Sequence, residues 1–457
     1  MSWRNLQLKN GSKIAIIGAG PAGSFFAHFA VQFARQRNID VEITIFDGKD
    51  FVKAGPAGCN MCAGVISETL VNKLEEEGIF LPEGLVQRKV QGYYLQTRTH
   101  AIRLSHPEGA EKITTVFRGN GPRFSTHNGN ISFDDFLLQR TKAQGVLVIQ
   151  EPVQKLVLPP SPTSPASLFY GRTNPPTEFK ADLIVGAFGL NTMMLRKVEA
   201  LDFGYKPPKV VKVCQADMAF PFAKGAEASG VGDNFQNHIV AIILDVGAIC
   251  FAAITPKERY ITISLLGKTD LRREDLIQFL SSRIARRWLG EDFSIPKQFC
   301  QCLPKIAISP SKQPFTDRLV IIGDAAFSRY YKNGLESAFI TAKLAAEAAF
   351  FDGISRSAFR KNYLKKAQKL IVRDNRYGRF LFGIHYFICK NDFLTEVFSL
   401  ATEERKEATA KQFRLILWNM LTGNVPYRRI FFDCFKMFAD AKLLEILRKN
   451  QQRKPSF

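Results

Sequence analysis

One hexapeptide constrains this chain more than any other feature. Gly18-Ala19-Gly20-Pro21-Ala22-Gly23 follows directly on the apolar run from Lys13 to Ile17. A short apolar run that ends at glycine is the pattern of a strand buried on both faces of a parallel sheet. Behind it, Phe25, Phe26, Phe29, Ala30, Phe33 and Ala34 recur on a helical period, which predicts a helix from Pro21 to about Arg37. A second strand, Val41 to Phe46, then closes a βαβ unit at Asp47-Gly48. In such a unit the first glycine permits the tight turn, the second lets backbone approach a pyrophosphate, and the third lets helix and strand pack closely. The helix start, Pro21 and Ala22, turns its N–H groups and positive dipole end toward the phosphate. Asp47, with Gly48 beside it, is placed to accept a ribose hydroxyl.

A second signature stands late in the chain. Leu319 to Ala326 reads as a strand running into Gly323-Asp324, and Asn333-Gly334 opens an Ala-rich helix that extends to Phe351. In this order the elements resemble the FAD-dependent oxidoreductases of the p-hydroxybenzoate hydroxylase type. The resemblance implies that Asp324 contacts the ribityl chain of FAD. It also implies that the helix start at Asn333 and Gly334 faces the flavin pyrimidine edge, where its dipole stabilises negative charge. Within that group, Gly58-Cys59-Asn60-Met61-Cys62-Ala63-Gly64 resembles the Cys-Gly-Gly segment of the geranylgeranyl reductase family, with Cys62, Ala63 and Gly64 in the matching places. Phe133-Asp134 resembles that family's Phe-Asp helix start. Ala181 to Ala187, leading to Gly189, resembles its third Rossmann strand, and Ile254 to Lys257 its proline turn over the flavin.

The chain departs from the pattern in three places. Phe188 stands where aspartate usually follows the third strand, which puts direct NAD(P)H use in question. The usual arginine before the Phe-Asp helix is replaced by Asn130, leaving Arg118 or Arg123 as candidates to reach the cofactor. The loop Phe327 to Lys332 is aromatic and basic where a proline is familiar.

The expected fold is α/β: a discontinuous FAD-binding Rossmann domain (1–80, 131–204, 311–354), an inserted antiparallel-sheet substrate domain (81–130, 205–310) and a basic helical C-terminal region (355–457). The prolines between Pro159 and Pro176 mark a hairpin or insertion. His238–Asp245, Ala248–Thr255 and Tyr260–Leu266 read as a three-strand meander, and Asp270–Leu289 as helical.

Cys59-x-x-Cys62 admits three chemistries: a redox dithiol exchanging electrons with flavin, half of a zinc site with Cys300 and Cys302, or a family element in which Cys62 lines the substrate face and Cys59 is incidental. Packed, inert thiols are the plain alternative. The six histidines show no ligand spacing, so no metal is expected, and no Ser-His-Asp arrangement is readable. Trp3, Trp288 and Trp418 are the only tryptophans, so the paired-tryptophan motif of flavin halogenases is missing.

The 457 residues hold eight cysteines, too few for a disulfide scaffold, which favours a reducing compartment. A strand starting by Lys13 leaves no room for a signal peptide, and no stretch reaches the roughly 20 apolar residues of a membrane span. The expected location is cytoplasmic, peripheral on the inner face of a membrane. That second part rests on charge. The chain carries +21, of which +13 lies in residues 355–457, with 22 Lys plus Arg against 9 Asp plus Glu. Such a bias suits an anionic membrane, with no nucleic acid expected. A basic amphipathic helix is predicted from Arg428 to Lys449, with Ile430, Phe431, Cys434, Phe435, Phe438 and Leu444 along one side. The solvated basic helix packed on the protein is the alternative.

The resemblance implies reduction of C=C bonds in a polyprenyl lipid by hydride from reduced flavin, with a proton from Cys62 or an ordered water. NAD(P)H or ferredoxin supplies the electrons. The alternatives are an FAD-dependent monooxygenase of an aromatic or lipid substrate, and a flavin-carrying membrane-associated protein without turnover.

Overall fold

Ile14 to Ile17 are fully apolar, and burying them on both faces organises the first sheet. In the computed structural model, which describes residues 6–98, 100–105, 112–125, 129–222, 235–391 and 408–439, that run belongs to strand β1 (Ser12–Ile17). The sheet continues with β2 (Val41–Phe46), β3 (Leu147–Ile149), β4 (Leu183–Gly186), β5 (Phe315–Thr316) and β6 (Leu319–Ile321), in the order β5-β6-β4-β1-β2-β3. All neighbours are parallel except β5 and β6. Helices α1 (Pro21–Gln36), α2 (Phe133–Ala143) and α3 (Gly334–Glu347) belong to the same unit. Phe339 of α3 meets Phe25 and Phe29 of α1 edge-on, with centroids 5.2 Å apart in both pairs. The proline-punctuated stretch forms a three-stranded antiparallel sheet, Val153–Val157, Ala166–Tyr170 and Thr177–Ala181.

The chain divides into two compact units: 1–62, 117–211 and 304–373 form the first, and 63–116, 212–303 and 374–457 the second. These breaks lie elsewhere than the sequence suggests, for two physical reasons. Gly64 accepts the Val116 N–H at 2.8 Å, and Val65–Ile66 pairs with Thr114–Thr115, so the chain enters the second unit right after Cys62. At the other end, residues 355–373 do not start a separate region. Phe359, Tyr363 and Ile371 are buried, and the Tyr363 hydroxyl donates to Ile321 O of β6 at 2.8 Å.

The second unit is built on a seven-stranded sheet, in the order Cys300–Cys302, Cys214–Ala219, Tyr260–Gly267, Ile249–Pro256, His238–Val246, Gly92–Gln96 and Ala101–Ser105. It is antiparallel except where His238–Val246 runs parallel to Gly92–Gln96. The expected meander is present, and its Ile242, Ile254, Ile263 and Leu265 share one core with Leu276, Phe279 and Trp288. The helical character expected over Asp270–Leu289 is present as two helices, Arg273–Leu280 and Arg283–Leu289. Ser282 divides them, its hydroxyl accepting the Ala285 N–H as an N-cap.

Three further helices complete this unit: α4 (Asp374–Lys390), α5 (Ala408–Thr422) and α6 (Tyr427–Ala439). Asp374 accepts the N–H groups of Tyr427 and Arg428 at 2.9 Å each, so the first residue of α4 caps the start of α6. Of the expected tail helix, Lys442, Leu444, Arg448 and Lys449 lie outside the described residues. The anticipated apolar side also differs: Ile430 is buried, but Phe435 points outward. No described helix is long and apolar enough to cross a membrane.

Candidate functional site

The glycines of the first turn answer to different demands. A Cβ on Gly18, at φ +108°, would lie 2.5 Å from Ala187 O, and one on Gly23 would lie 1.9 Å from Gly18 O. Both are fixed by packing of the loop on itself and on β4. Gly20 is not. The nearest atom to its added Cβ is Asn60 Nδ2, at 3.2 Å. Gly20 also caps α1 without a side chain, and the first turn of α1 contains no acid. The helix start therefore presents N–H groups and a positive end with no side-chain cap and no acid in its own first turn to occupy them.

Asp47, at the end of β2, grips this loop. Its Oδ2 accepts the Ala19 N–H at 2.7 Å and its Oδ1 the Lys49 N–H at 2.9 Å. Burial pushes its carboxyl above the ordinary range, against the pull of those two N–H groups. Gly48 packs on Pro152.

From Lys49 a polar chain runs beneath the cysteine segment. Lys49 Nζ donates to Cys59 O at 2.6 Å and to Asn60 Oδ1 at 2.8 Å, and Asn60 Nδ2 donates to Asp134. Asp134 in turn holds Arg118 through both oxygens, at 2.5 and 3.1 Å, with both side chains buried. Burial opposes the charge on Arg118, but Asp134, and next Cys62, raise its pKa above the ordinary value. Of the two arginines considered for the missing one, Arg118 is thus committed to the Phe-Asp helix. Arg123 is exposed, its guanidinium over the Phe124 ring. Asn130 donates to Asp135 and accepts the Ser132 N–H, a local turn at the start of α2. Lys49 and Asn60 were not singled out from sequence. Their one signal was position, two residues past the strand-end acid and inside the Cys-x-x-Cys.

Cys59 and Cys62 are half-buried in the first unit. Between them Met61 adopts a left-handed backbone (φ 52°), and its N–H donates to Cys59 Sγ at 3.2 Å. Ala63 and Gly64 belong to the second unit, where Gly64 (φ +73°) is required because a Cβ would lie 1.9 Å from Val116 O. The Pro256–Lys257 turn also belongs there, held by Thr115 Oγ1 on Pro256 O and by a buried Lys257–Asp217 ion pair at 3.6 Å. Among the described residues no three His, Cys, Asp or Glu side chains gather as a metal site.

The second signature meets the first. A Cβ on Gly323 (φ +66°) would lie 3.0 Å from Ala22 Cβ, so the Gly-Asp turn rests on the start of α1. Asp324 lies against Gly334, whose added Cβ would be 3.5 and 3.7 Å from the carboxylate oxygens. Its Oδ1 is buried with no hydrogen-bond partner. Burial raises its pKa, opposed by the Ser328 hydroxyl and the charge of Arg118. Asn333, left-handed at φ 51°, donates to Glu336 at 3.0 Å and leads into α3. Gly189 (φ +64°) has nothing within 4 Å of an added Cβ, whereas the Phe188 ring folds back over Gly186. In the basic loop before α3, burial and then the charge of Arg329 lower the Lys332 pKa to about 7.

An open helix start, an open glycine and an orphaned buried acceptor fit a ligand with a pyrophosphate and a polyhydroxyl chain, which is what FAD offers.

No protein-family model matches the chain. It is 23% identical over 384 residues to the geranylgeranyl diphosphate reductase of Synechocystis sp., covering 80% of this chain and 82% of that protein. Its fold is similar to a geranylgeranyl bacteriochlorophyll reductase-like protein from Thermoplasma acidophilum, with TM-score 0.62 and 14% identity over 94% of this chain and all of that one. A flavin-dependent brominase matches with TM-score 0.62 and 13% identity over 97% of this chain and all of that one. A flavoprotein/dehydrogenase from Cytophaga hutchinsonii matches with TM-score 0.59 and 15% identity, over 90% and 92%. The chain thus has the fold of the FAD-dependent oxidoreductases and, among them, is similar to the geranylgeranyl reductases.

Proposed function

We propose that the chain is an FAD-dependent oxidoreductase that reduces carbon–carbon double bonds of a polyprenyl, geranylgeranyl-type lipid. The observation that carries the cofactor is the convergence of the unobstructed Gly20 turn with the unpartnered Asp324 Oδ1. The substrate class rests on the similarity to the Synechocystis reductase.

Bound FAD, once reduced, supplies hydride. The chain's own residues do the rest. The start of α1 and Gly20 would hold the pyrophosphate, and Asp324 would accept hydroxyls of the ribityl chain. The start of α3 at Asn333 and Gly334 stabilises negative charge. An isolated alkene has no carbonyl to polarise, so the site works by positioning and by excluding water. Cys62, on the segment braced by Lys49, Asn60, Asp134 and Arg118, delivers the proton directly or through a water. NAD(P)H or ferredoxin would be the electron donor.

The test is anaerobic. Enzyme with reduced flavin is mixed with geranylgeranyl lipids, and return of oxidised-flavin absorbance is followed alongside product mass. Reoxidation with a mass gain of two hydrogens per bond is expected. Reoxidation by oxygen alone would replace the reductase with a monooxygenase. Cys62→Ser should keep its flavin and lose about 10²–10⁴-fold in rate, the usual contribution of a general acid, with Cys59→Ser mild. Equal, severe losses in both would point to a dithiol relay.

A further inference from the structure

A helix on a folded protein normally turns its apolar stripe inward. α4 and α6 do the reverse over part of their length. On α4 the outward positions are Phe380 (54% exposed), Ile384 (40%) and Phe387 (65%), spaced four and three residues apart and so on one face. On α6 they are Phe432 (49%) and Phe435 (66%). The two sets are continuous: the Phe380 ring meets Phe431 at 5.5 Å, and Phe431 meets Phe432 at 5.4 Å. Single exposed apolar side chains need no explanation, but a joined aromatic ridge across two helices does.

The exposed charge on these two helices is predominantly positive. Arg376 and Arg379 stand exposed on α4, and Arg428, Arg429 and Lys436 on α6. The acids of the two helices are Asp374 and Asp433. Asp374 is buried and spent on the α6 N-terminus, and Asp433 faces Arg429 at 3.9 Å. Both helices belong to the second unit, in the segment whose 22 basic against 9 acidic residues supply most of the net charge.

We infer that the α4–α6 ridge is a docking surface for an anionic lipid bilayer. Phe387 and Phe435 enter the boundary between headgroups and acyl chains, while the surrounding arginines and lysine lie at the phosphates. Aromatic side chains favour that depth, and cations beside them add attraction to anionic headgroups. A protein partner would need an acidic surface shaped to this one patch, whereas an anionic bilayer offers matching charge and apolar depth together. This inference is independent of the reaction proposed above, because it uses residues of the second unit, whereas the nucleotide-binding loops belong to the first.

The test is sedimentation of the full-length flavoprotein with vesicles of phosphatidylcholine alone, or with about one-third phosphatidylglycerol, at low and high salt. Binding to the anionic vesicles that weakens with salt is expected. Phe387→Asp with Phe435→Asp should lower partitioning by at least about tenfold. Arg428→Gln, Arg429→Gln and Lys436→Gln together should lower it about fivefold per residue, and only on anionic vesicles. Bound flavin and circular dichroism report the fold of each variant, and the charge variant, wholly on the surface, stands in if the aromatic one misfolds. Absence of binding to anionic vesicles, or equal binding by both variants, would overturn the inference. So would a dimer in light scattering that Phe435→Asp dissociates, since a second copy would then cover the ridge.

Discussion

Gly20 and Gly23 lie three residues apart in one turn, yet a side chain would act differently at each. At Gly23 the new carbon would sit 1.9 Å from backbone oxygen, where nothing flexible can yield. At Gly20 it would meet only the tip of Asn60. Gly23→Ala should therefore cost folded yield, whereas Gly20→Val should give soluble, folded and colourless protein, read by circular dichroism and flavin absorbance together. A Gly20→Val protein with full yellow colour would remove this loop from the cofactor site. Lys332 offers a titration at the same scale. Its folded pKa of about 7 lies below its ordinary value of 10.5, so between those values the folded state holds fewer protons than the unfolded one. This group's penalty is then complete below pH 7 and fades as pH rises to 10.5. Thermal melts of wild type against Lys332→Met should show the variant ahead at pH 6 and the gap narrowing toward pH 10. The glycine motif and Asp324 were legible because their residue types have few other uses at strand ends. The buried links Lys49, Asn60 and Arg118–Asp134 were not, because each joins segments far apart in sequence through side chains common on any surface.

Among the elements, α4 and α6 are tied by a reciprocal fit. Asp374 caps α6, and Gly378 lets the buried Tyr427 ring approach so closely that a Cβ would lie 2.6 Å from it. Gly378→Ala should destabilise the second unit by about 1–3 kcal/mol, measured by urea unfolding, through overpacking. An unchanged midpoint would mean that Tyr427 can swing aside. Element boundaries followed the same division between local and distant causes. β2 is found over Val41–Phe46 as its apolar run suggests, and α1 ends one residue short of the expected limit. The break at Ser281–Ser282 was hidden because the apolar period of Leu276, Phe279, Ile284 and Trp288 passes across it, and only the capping serine marks the stop. The outward turn of Phe435 was likewise unreadable: a period identifies a stripe, but not which way the stripe faces.

At the scale of the whole molecule, FAD should stabilise the first unit by mass action, by about 2.7 kcal/mol at a hundredfold excess over its Kd. Calorimetry with and without FAD should show the transition of that unit rising, and Gly20→Val should abolish the rise. The unit is assembled from three separated stretches of chain, and its central strand β1 finds its neighbours β2 near residue 41 and β4 near residue 183. The loop at Gly20 and its counterpart at Asp324 are about 300 residues apart. During synthesis at about 5–20 residues per second, the first half of the binding site emerges from the ribosome roughly 15–60 seconds before the second. Throughout that interval the start of α1 has no Gly-Asp turn resting on it, and β4, once made, has no partner on its outer edge. The nascent chain must therefore remain unaggregated without help from its cofactor, and flavin loading becomes a checkpoint that only chains completed past α3 can pass.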